Sequence, residues 1–513
     1  MKNLQRISIL YLTLPFIIFC MGWLRLAIAI PVIAIIIWVL WHLFKQPSTD
    51  QPSFHFSRST FYLLFITGLW VFFSGVGGYA FQNWDHHWRN AVLRDLINYN
   101  WPVIYFSPEQ GPIKMLVYYV GYWLPSALVG KLLGWDAANF FLFAWTWLGV
   151  MLVALHLGSS LQTTPIKAAL LVCLFSGMDS LGALLFAKDY PTLWPPVQHL
   201  EVWAGALQYS SFTTQLFWVF NQAVPAWLCI VVFVTLSEAK GLQPVDRDSS
   251  LTSFAQNDIR SQLVFIWSLC FFFAPLASIG LLPYVLIELF KHTDFKSPLK
   301  HLRFDVLAAA GIVFLISYLF FSSNTAAQER GFHLPDLKDF STFFLLEGGA
   351  LWLLLAPAKW RDPRWMATGA LFFVLPFIKL GSGNDFAMRA SIAPLFFLML
   401  LTGETVFNKN TPRLLLAACY LILALGALTP LYEINRSVYQ TSRYYFLGGE
   451  SREVEPGSEP VTHLPQGIAP ELEHPAALTA DEIQTLKFMD DKLSKNFIAN
   501  VRQTLYYRYI SSH

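Results

Sequence analysis

Charge is what this sequence has least of. Only 13% of its 513 residues are Asp, Glu, Lys or Arg, while 55% are hydrophobic. Mean hydropathy is +0.46. That balance excludes a water-soluble domain of this length. A net charge of +2 leaves no basic footprint for nucleic acid, so none is expected as a partner. Cysteine is also sparse. Cys20, Cys173, Cys229, Cys270 and Cys419 all lie inside apolar runs. They read as small core hydrophobes and exclude a disulfide framework or a thiolate metal cluster. No Walker loop, GxGxxG, HExxH, CxxC or GxSxG occurs, which removes the motif-borne nucleotide, zinc-protease and serine-hydrolase chemistries.

What is present is a series of long apolar runs: 7–24, 26–44, 60–80, 136–158, 167–187, 213–236, 261–276, 277–291, 305–322, 342–357, 365–379, 392–408 and 413–431. A helix needs about 20 apolar residues to cross a bilayer, and only helices or closed barrels satisfy their backbone there. The expected fold is an all-α polytopic membrane protein of about 13 transmembrane helices. Lys2 and Arg6 ahead of the first run resemble a signal peptide, but no small-x-small cleavage site follows, so an uncleaved anchor is expected.

The run at 112–134 decides the topology. Lys114, Pro125 and Lys131 interrupt it, and Tyr and Trp crowd it. Taken as interfacial, with the N-terminus cytoplasmic, it leaves 13 basic residues in inside loops between 160 and 413, against 5 outside. That is the direction of the positive-inside rule, and a spanning 112–134 would reverse it. The reading divides the chain into an N-terminal hairpin (1–59), a transmembrane core (60–431) with a long external loop (81–135), and a small external C-terminal region (432–513). The expected location is the inner (plasma) membrane, with the C-terminus outside. A helix is expected from Thr479, after the irregular "EVEPGSEPVTHLPQGIAPELEHP".

Polar residues then collect on the external side. "QNWDHHWRNAVLRDL" supplies Asp85, His86, His87 and Arg89. "FSGMDSLG" supplies Asp179. "VQHLEVWAGALQYSS" supplies Gln198, His199, Glu201 and Gln208. "AQERGFHLPD" supplies Glu329, Arg330 and His333, and "GSGNDFAMRAS" supplies Asn384, Asp385 and Arg389. Ionisable groups at membrane depth are costly and point to function. Plainer readings stand beside this one. Asp85 with Arg89 and Asp385 with Arg389 are each spaced i, i+4 and would pair on a helix. Asp179 would be a satisfied polar residue between helices. Adjacent histidines face different sides of a helix, which argues against a His-based metal site.

The arrangement resembles the GT-C glycosyltransferase superfamily. An acidic residue heads a long early loop ("NWDHHW"). A proline-interrupted interfacial segment follows ("EQGPIKMLVYYVGYWLPSALVGKLLG"), then "SGMD" in the outer part of a span, and an external tail ends the chain. The loop here follows the third apolar run, and His86 stands where the family often carries a second carboxylate. The resemblance implies a polyprenyl-phosphate-linked sugar as donor, membrane lipid around it, and no organic cofactor, with a divalent metal left open. It also implies Asp85 as general base. Arg389 and Arg330 would hold the phosphate, and His86, Glu201 and Gln208 would hold hydroxyls. Arg89, Asp179 and Asp385 complete the candidate set. The rival classes are a transporter or lipid flippase and a non-catalytic envelope assembly protein.

Overall fold

Runs of apolar residues become helices, because a chain surrounded by hydrocarbon must bond its own N–H and C=O groups. A computed structural model describes residues 2–45, 58–105, 114–186, 194–196, 199–205, 207–241, 249–291, 303–324, 330–332, 334–380, 385–443 and 496–512. The side chains of His87 and of residues 239–258 are outside that description. Gln198, Glu329, His333 and Asn384 also lie outside the described residues.

The helices are, in order, α1 (Lys2–Trp23), α2 (Leu26–Phe44), α3 (Arg58–Phe73), α4 (Asp85–Asn98), α5 (Leu124–Leu133), α6 (Trp135–Ser160), α7 (Pro165–Leu174), α8 (Asp179–Phe186), α9 (Phe212–Gly241), α10 (Ser249–Phe273), α11 (Pro275–Phe290) and α12 (Phe304–Phe321). They continue with α13 (Leu337–Phe344), α14 (Ala350–Leu354), α15 (Ala356–Lys359), α16 (Pro363–Val374), α17 (Asp385–Ala390), α18 (Ile392–Val406), α19 (Arg413–Gly426) and α20 (Leu428–Thr441). The strands are short: β1 (Ile104–Tyr105), β2 (Lys114–Leu116), β3 (Arg330–Phe332), β4 (Ile378–Leu380) and β5 (Ile498–Asn500).

Among the described residues, eight helical segments are long and apolar enough to cross a membrane, and three more are apolar but shorter. The architecture is that of an all-α, multi-pass membrane protein. The central span is the first part of α9, whose apolar window is wholly buried. By contrast, the α2 window is 28% buried, and Ile30, Ile37, Trp38 and Trp41 face outward. Outward-facing apolar side chains fit a bilayer solvent, in which their exposure carries no penalty.

Residues 112–134 do not make one spanning helix. The described part is β2, a 3-10 turn at Val120–Trp123, and α5. Ten residues of α5 rise only about 15 Å. Two other apolar runs are interrupted. Run 167–187 breaks between α7 and α8, and run 342–357 breaks at a π turn over Leu345–Gly349, between α13 and α14. Gly348 there leaves helical geometry. The last run continues past residue 431, because α20 follows α19 with one residue between.

The C-terminal residues return to the body. β5 pairs antiparallel with β2, Met115 opposite Ala499, and β1 pairs on the other edge of β2. Tyr506 Oη donates to Trp23 O (3.3 Å) and Arg25 Nε donates to Ser511 O (3.1 Å). Most of the helix expected from Thr479 lies outside the described residues. At its described end, Ile498–Asn500 is strand instead. The open edge of β2 offers these residues a ladder, and that tertiary partner outweighs local helix propensity.

Candidate functional site

The site begins with a defect in α9. Pro225 has no N–H to give, and α9 departs from helical dihedrals at Val219 (φ −134°, ψ 37°). The carbonyls just before the kink accept from side chains on α4 and from Asn83, two residues ahead of it. Phe217 O accepts from Asn83 Nδ2 (2.9 Å) and His86 Nε2 (3.0 Å), and Trp218 O accepts from Arg89 Nε (2.8 Å). Asn83 also starts α4, since its Oδ1 accepts from Asp85 N (3.1 Å). With Nε2 donating, His86 Nδ1 is the acceptor for Gln82 Nε2 (3.3 Å). Gln82 in turn donates to Gly75 O (2.8 Å). Gly75 sits at φ 80°, and a Cβ there would lie 2.5 Å from Phe81 O, so the turn requires glycine.

This anchoring sets Asp85 and Arg89 on the wall of a cavity of about 760 Å³. Arg89 Nη2 donates to Asp85 Oδ2 (2.8 Å), and Arg89 Nη1 donates to Tyr118 Oη (3.0 Å). Across the cavity, α17 presents a second pair, Arg389 Nη1 to Asp385 Oδ2 (2.9 Å). Both i, i+4 pairings therefore form. The Arg389 Nε is buried and has no hydrogen-bond partner among the described residues. Asp85, Tyr118 and Tyr119 are close enough to act electrostatically on Arg389. Gln208 also lines the cavity.

Much of the remaining lining is aromatic. Trp88, Tyr118, Trp218, Phe321 and Phe497 contribute, and Phe497 stacks on Trp88 with ring centroids 5.6 Å apart. Another part is open and apolar. Ile279 of α11 is 40% exposed and Tyr318 of α12 is 52% exposed. A cavity with cations on one wall and an uncovered aliphatic side suits an amphipathic ligand with an anionic head.

Behind His199 and Gln208 lies a polar core. Gln208 Nε2 donates to Glu201 Oε2 (3.1 Å), and Ser211 N donates to Glu201 Oε1 (3.0 Å). His199 Nε2 is 3.9 Å from Glu201, and its Nδ1 is 3.4 Å from Glu433 Oε2. Glu433 Oε1 accepts from Trp218 Nε1 (2.9 Å) and Arg436 Nη1 (3.1 Å). Burial pulls the His199 pKa down, but the Glu433 hydrogen bond and charge leave it raised overall. Burial, and then the nearby Asp179 charge, pushes Glu201 up to about 7.

The sign of that shift gives a testable consequence. An unfolded glutamate titrates near 4.3. Between that value and about 7 the folded chain therefore binds more protons than the unfolded one. Stability must fall as pH rises through this window. The thermal midpoint of the detergent-purified chain should drop between pH 5 and 8, and Glu201→Gln should flatten the drop. An equal drop in the variant would assign the effect to another group.

Of the residues singled out from sequence, Asp85, Arg89, His199, Gln208, Asp385 and Arg389 line the cavity. Glu201 stands one hydrogen bond behind it, through Gln208. His86 is turned into the protein, 1% exposed, where it positions α4. Asp179 is buried beyond Glu201. Arg330 lies on the exposed β3, whose backbone pairs with the lining residue Leu380, and its side chain is not part of the wall.

Sequence reasoning missed Glu347, Glu433 and Arg436. Glu347 was visible as a lone carboxylate inside "FFLLEGGALWLLL", and Glu433 with Arg436 as an i, i+3 pair just past an apolar run. Among the described residues, no group of three or more His, Cys, Asp or Glu has metal-binding geometry. Comparison with protein-family models, curated proteins and solved structures gave no match.

Proposed function

We propose that this chain is a membrane glycosyltransferase of GT-C type, moving a sugar from a polyprenyl-phosphate donor to an acceptor hydroxyl on the external face of the membrane. The observation that carries the reading is the meeting of Asp85, Arg89, Gln208, Asp385 and Arg389 on one cavity with an uncovered apolar side. Asp85 removes the proton from the acceptor hydroxyl. The hydroxyl oxygen bonds to the anomeric carbon, and the carbon–oxygen bond to the phosphate breaks. Arg389 takes up the charge on the departing lipid phosphate, since its guanidinium is paired with Asp385 and its Nε has no partner among the described residues. Arg89 keeps the Asp85 carboxylate in place. Gln208 and the cavity aromatics hold hydroxyls and sugar faces.

One observation favours a second reading, transport or flipping of an amphipathic substrate. The breaks at 175–178 and 345–349 meet, with Met178 N donating to Leu346 O (2.8 Å), and broken helices are common where transporters bind cargo. Reconstituting the purified chain with a radiolabelled polyprenyl-phospho-sugar in liposomes separates the two. Transfer predicts label in a new product and free polyprenyl phosphate. Intact donor appearing on the opposite leaflet, with no product, would overturn the enzyme reading in favour of transport.

A further inference from the structure

The meeting point of the two broken segments holds two carboxylates that the transfer chemistry does not use. Asp179 opens α8 and Glu347 sits in the π turn, at 0% and 1% exposure. Their backbones are in close contact. A Cβ on Gly177 would lie 2.6 Å from Glu347 Oε2 and 2.7 Å from its Cα. Gly426 of α19 closes the other side, where a Cβ would meet Ser176 O at 2.6 Å.

Each carboxylate has one oxygen satisfied. Ser176 Oγ donates to Asp179 Oδ2 (2.9 Å), and Trp203 Nε1 donates to Glu347 Oε1 (2.9 Å). The other oxygens, Asp179 Oδ1 and Glu347 Oε2, are buried without a partner among the described residues. Yet the two side chains stand within hydrogen-bonding reach of each other. Two ionised carboxylates only accept, so that contact is a bond only if a proton lies in it. The other titratable groups facing the pair are Glu201, itself acidic, and Tyr209, whose hydroxyl donates to Phe372 O. Among the described residues neither carboxylate forms a salt bridge. Two unpartnered negative charges buried side by side would be far too costly to persist. A metal is a poor remedy, because one free oxygen from each residue falls well short of the six or more that hard cations take.

We propose that Asp179 and Glu347 form a proton-binding site, holding one proton between the two carboxyl groups, with Glu201 as its electrostatic link to the cavity. Glu201 feels the Asp179 charge and bonds to Gln208 in the cavity wall. Losing the shared proton would therefore add a negative charge behind the surface that meets an anionic ligand. This inference does not depend on the transfer reading, since a proton-coupled transporter would need the same pair.

Infrared spectra of the purified full-length chain at about pH 9, two units above the titration of Glu201 so that its own carboxyl does not contribute, in H2O and D2O, test it. The expected result is a protonated-carboxyl C=O band that shifts in D2O and disappears in Asp179→Asn and in Glu347→Gln. The band should persist in Glu288→Gln, a carboxylate paired with Lys291. Carboxyl-13C labelling of Glu or of Asp in the wild-type chain should shift the band without any substitution, so the test survives a variant that fails to fold. A wild-type spectrum without the band, or a band that neither label shifts, would overturn the proposal.

Discussion

Replacing Asp85 with asparagine should lower the rate of sugar transfer by about 10² to 10⁴, the usual contribution of a positioned general base. The substitution keeps the shape of the side chain and removes its ability to take a proton. Arg89 would lose its carboxylate but keep its bonds to Trp218 O and Tyr118 Oη, so α4 should stay docked on α9. The variant should elute as a single species and melt within a few degrees of wild type. A purely structural Asp85–Arg89 pair makes the opposite forecast, a lower midpoint with the rate untouched. Asp85 is 25% exposed, and the buried Arg89 keeps two other acceptors, so that structural effect would be modest. Initial rates of lipid-phosphate release by the two proteins separate the alternatives. Equal rates would remove Asp85 from the chemistry.

Gly280→Ala should be nearly as damaging, although Gly280 is no part of the cavity wall. A Cβ at this position of α11 would overlap the backbone carbonyl oxygen of Ala390, and a backbone atom cannot rotate away. The short α17 must move outward, carrying Arg389 and Asp385 with it. A displacement of about 1 Å in a positioning element can cost on the order of 100-fold in rate, and overpacking adds about 1–3 kcal/mol of destabilisation. Both a lower melting midpoint and a roughly 100-fold slower transfer are expected. Gly311→Ala on α12 is the control, because among the described residues no atom beyond its own helix backbone lies within 4 Å of the Cβ it would add. It should be silent or slightly stabilising. A Gly280→Ala protein with wild-type rate would mean that the placement of α17 does not matter to the reaction.

These two positions also mark what the sequence could and could not reveal. Asp85 and Arg89, like Asp385 and Arg389, were legible because i, i+4 spacing puts each pair on one helix face. That the two faces meet was not legible. It depends on the α9 kink at Val219 and on the close approach of α11 to α17 at Gly280, both of which join residues distant in sequence. His86 looked the same as Asp85 in sequence. The Phe217 carbonyl and Gln82, neither predictable from spacing, turn it inward. The long apolar runs announced membrane helices, but their interruptions were hidden. The runs that carry "FSGMDSLG" and "LLEGGA" stay apolar on average while these short segments break the hydrogen-bond ladder. Glu347 was the available clue to the second break. Phe497 enters the cavity from a tail read as separate, because a strand edge on β2 captures it.

The account rests most on the claim that this cavity receives a lipid phosphate. A photoreactive polyprenyl phosphate, applied to the purified chain and followed by peptide mapping, tests that directly. Label should concentrate on the apolar side of the cavity, at residues 271–279 and 318–322. It should be displaced by excess unlabelled polyprenyl phosphate, and it should fall several-fold in Arg389→Ala. Label spread along the lipid-facing helices such as α2, unchanged by competitor and by Arg389→Ala, would contradict the claim.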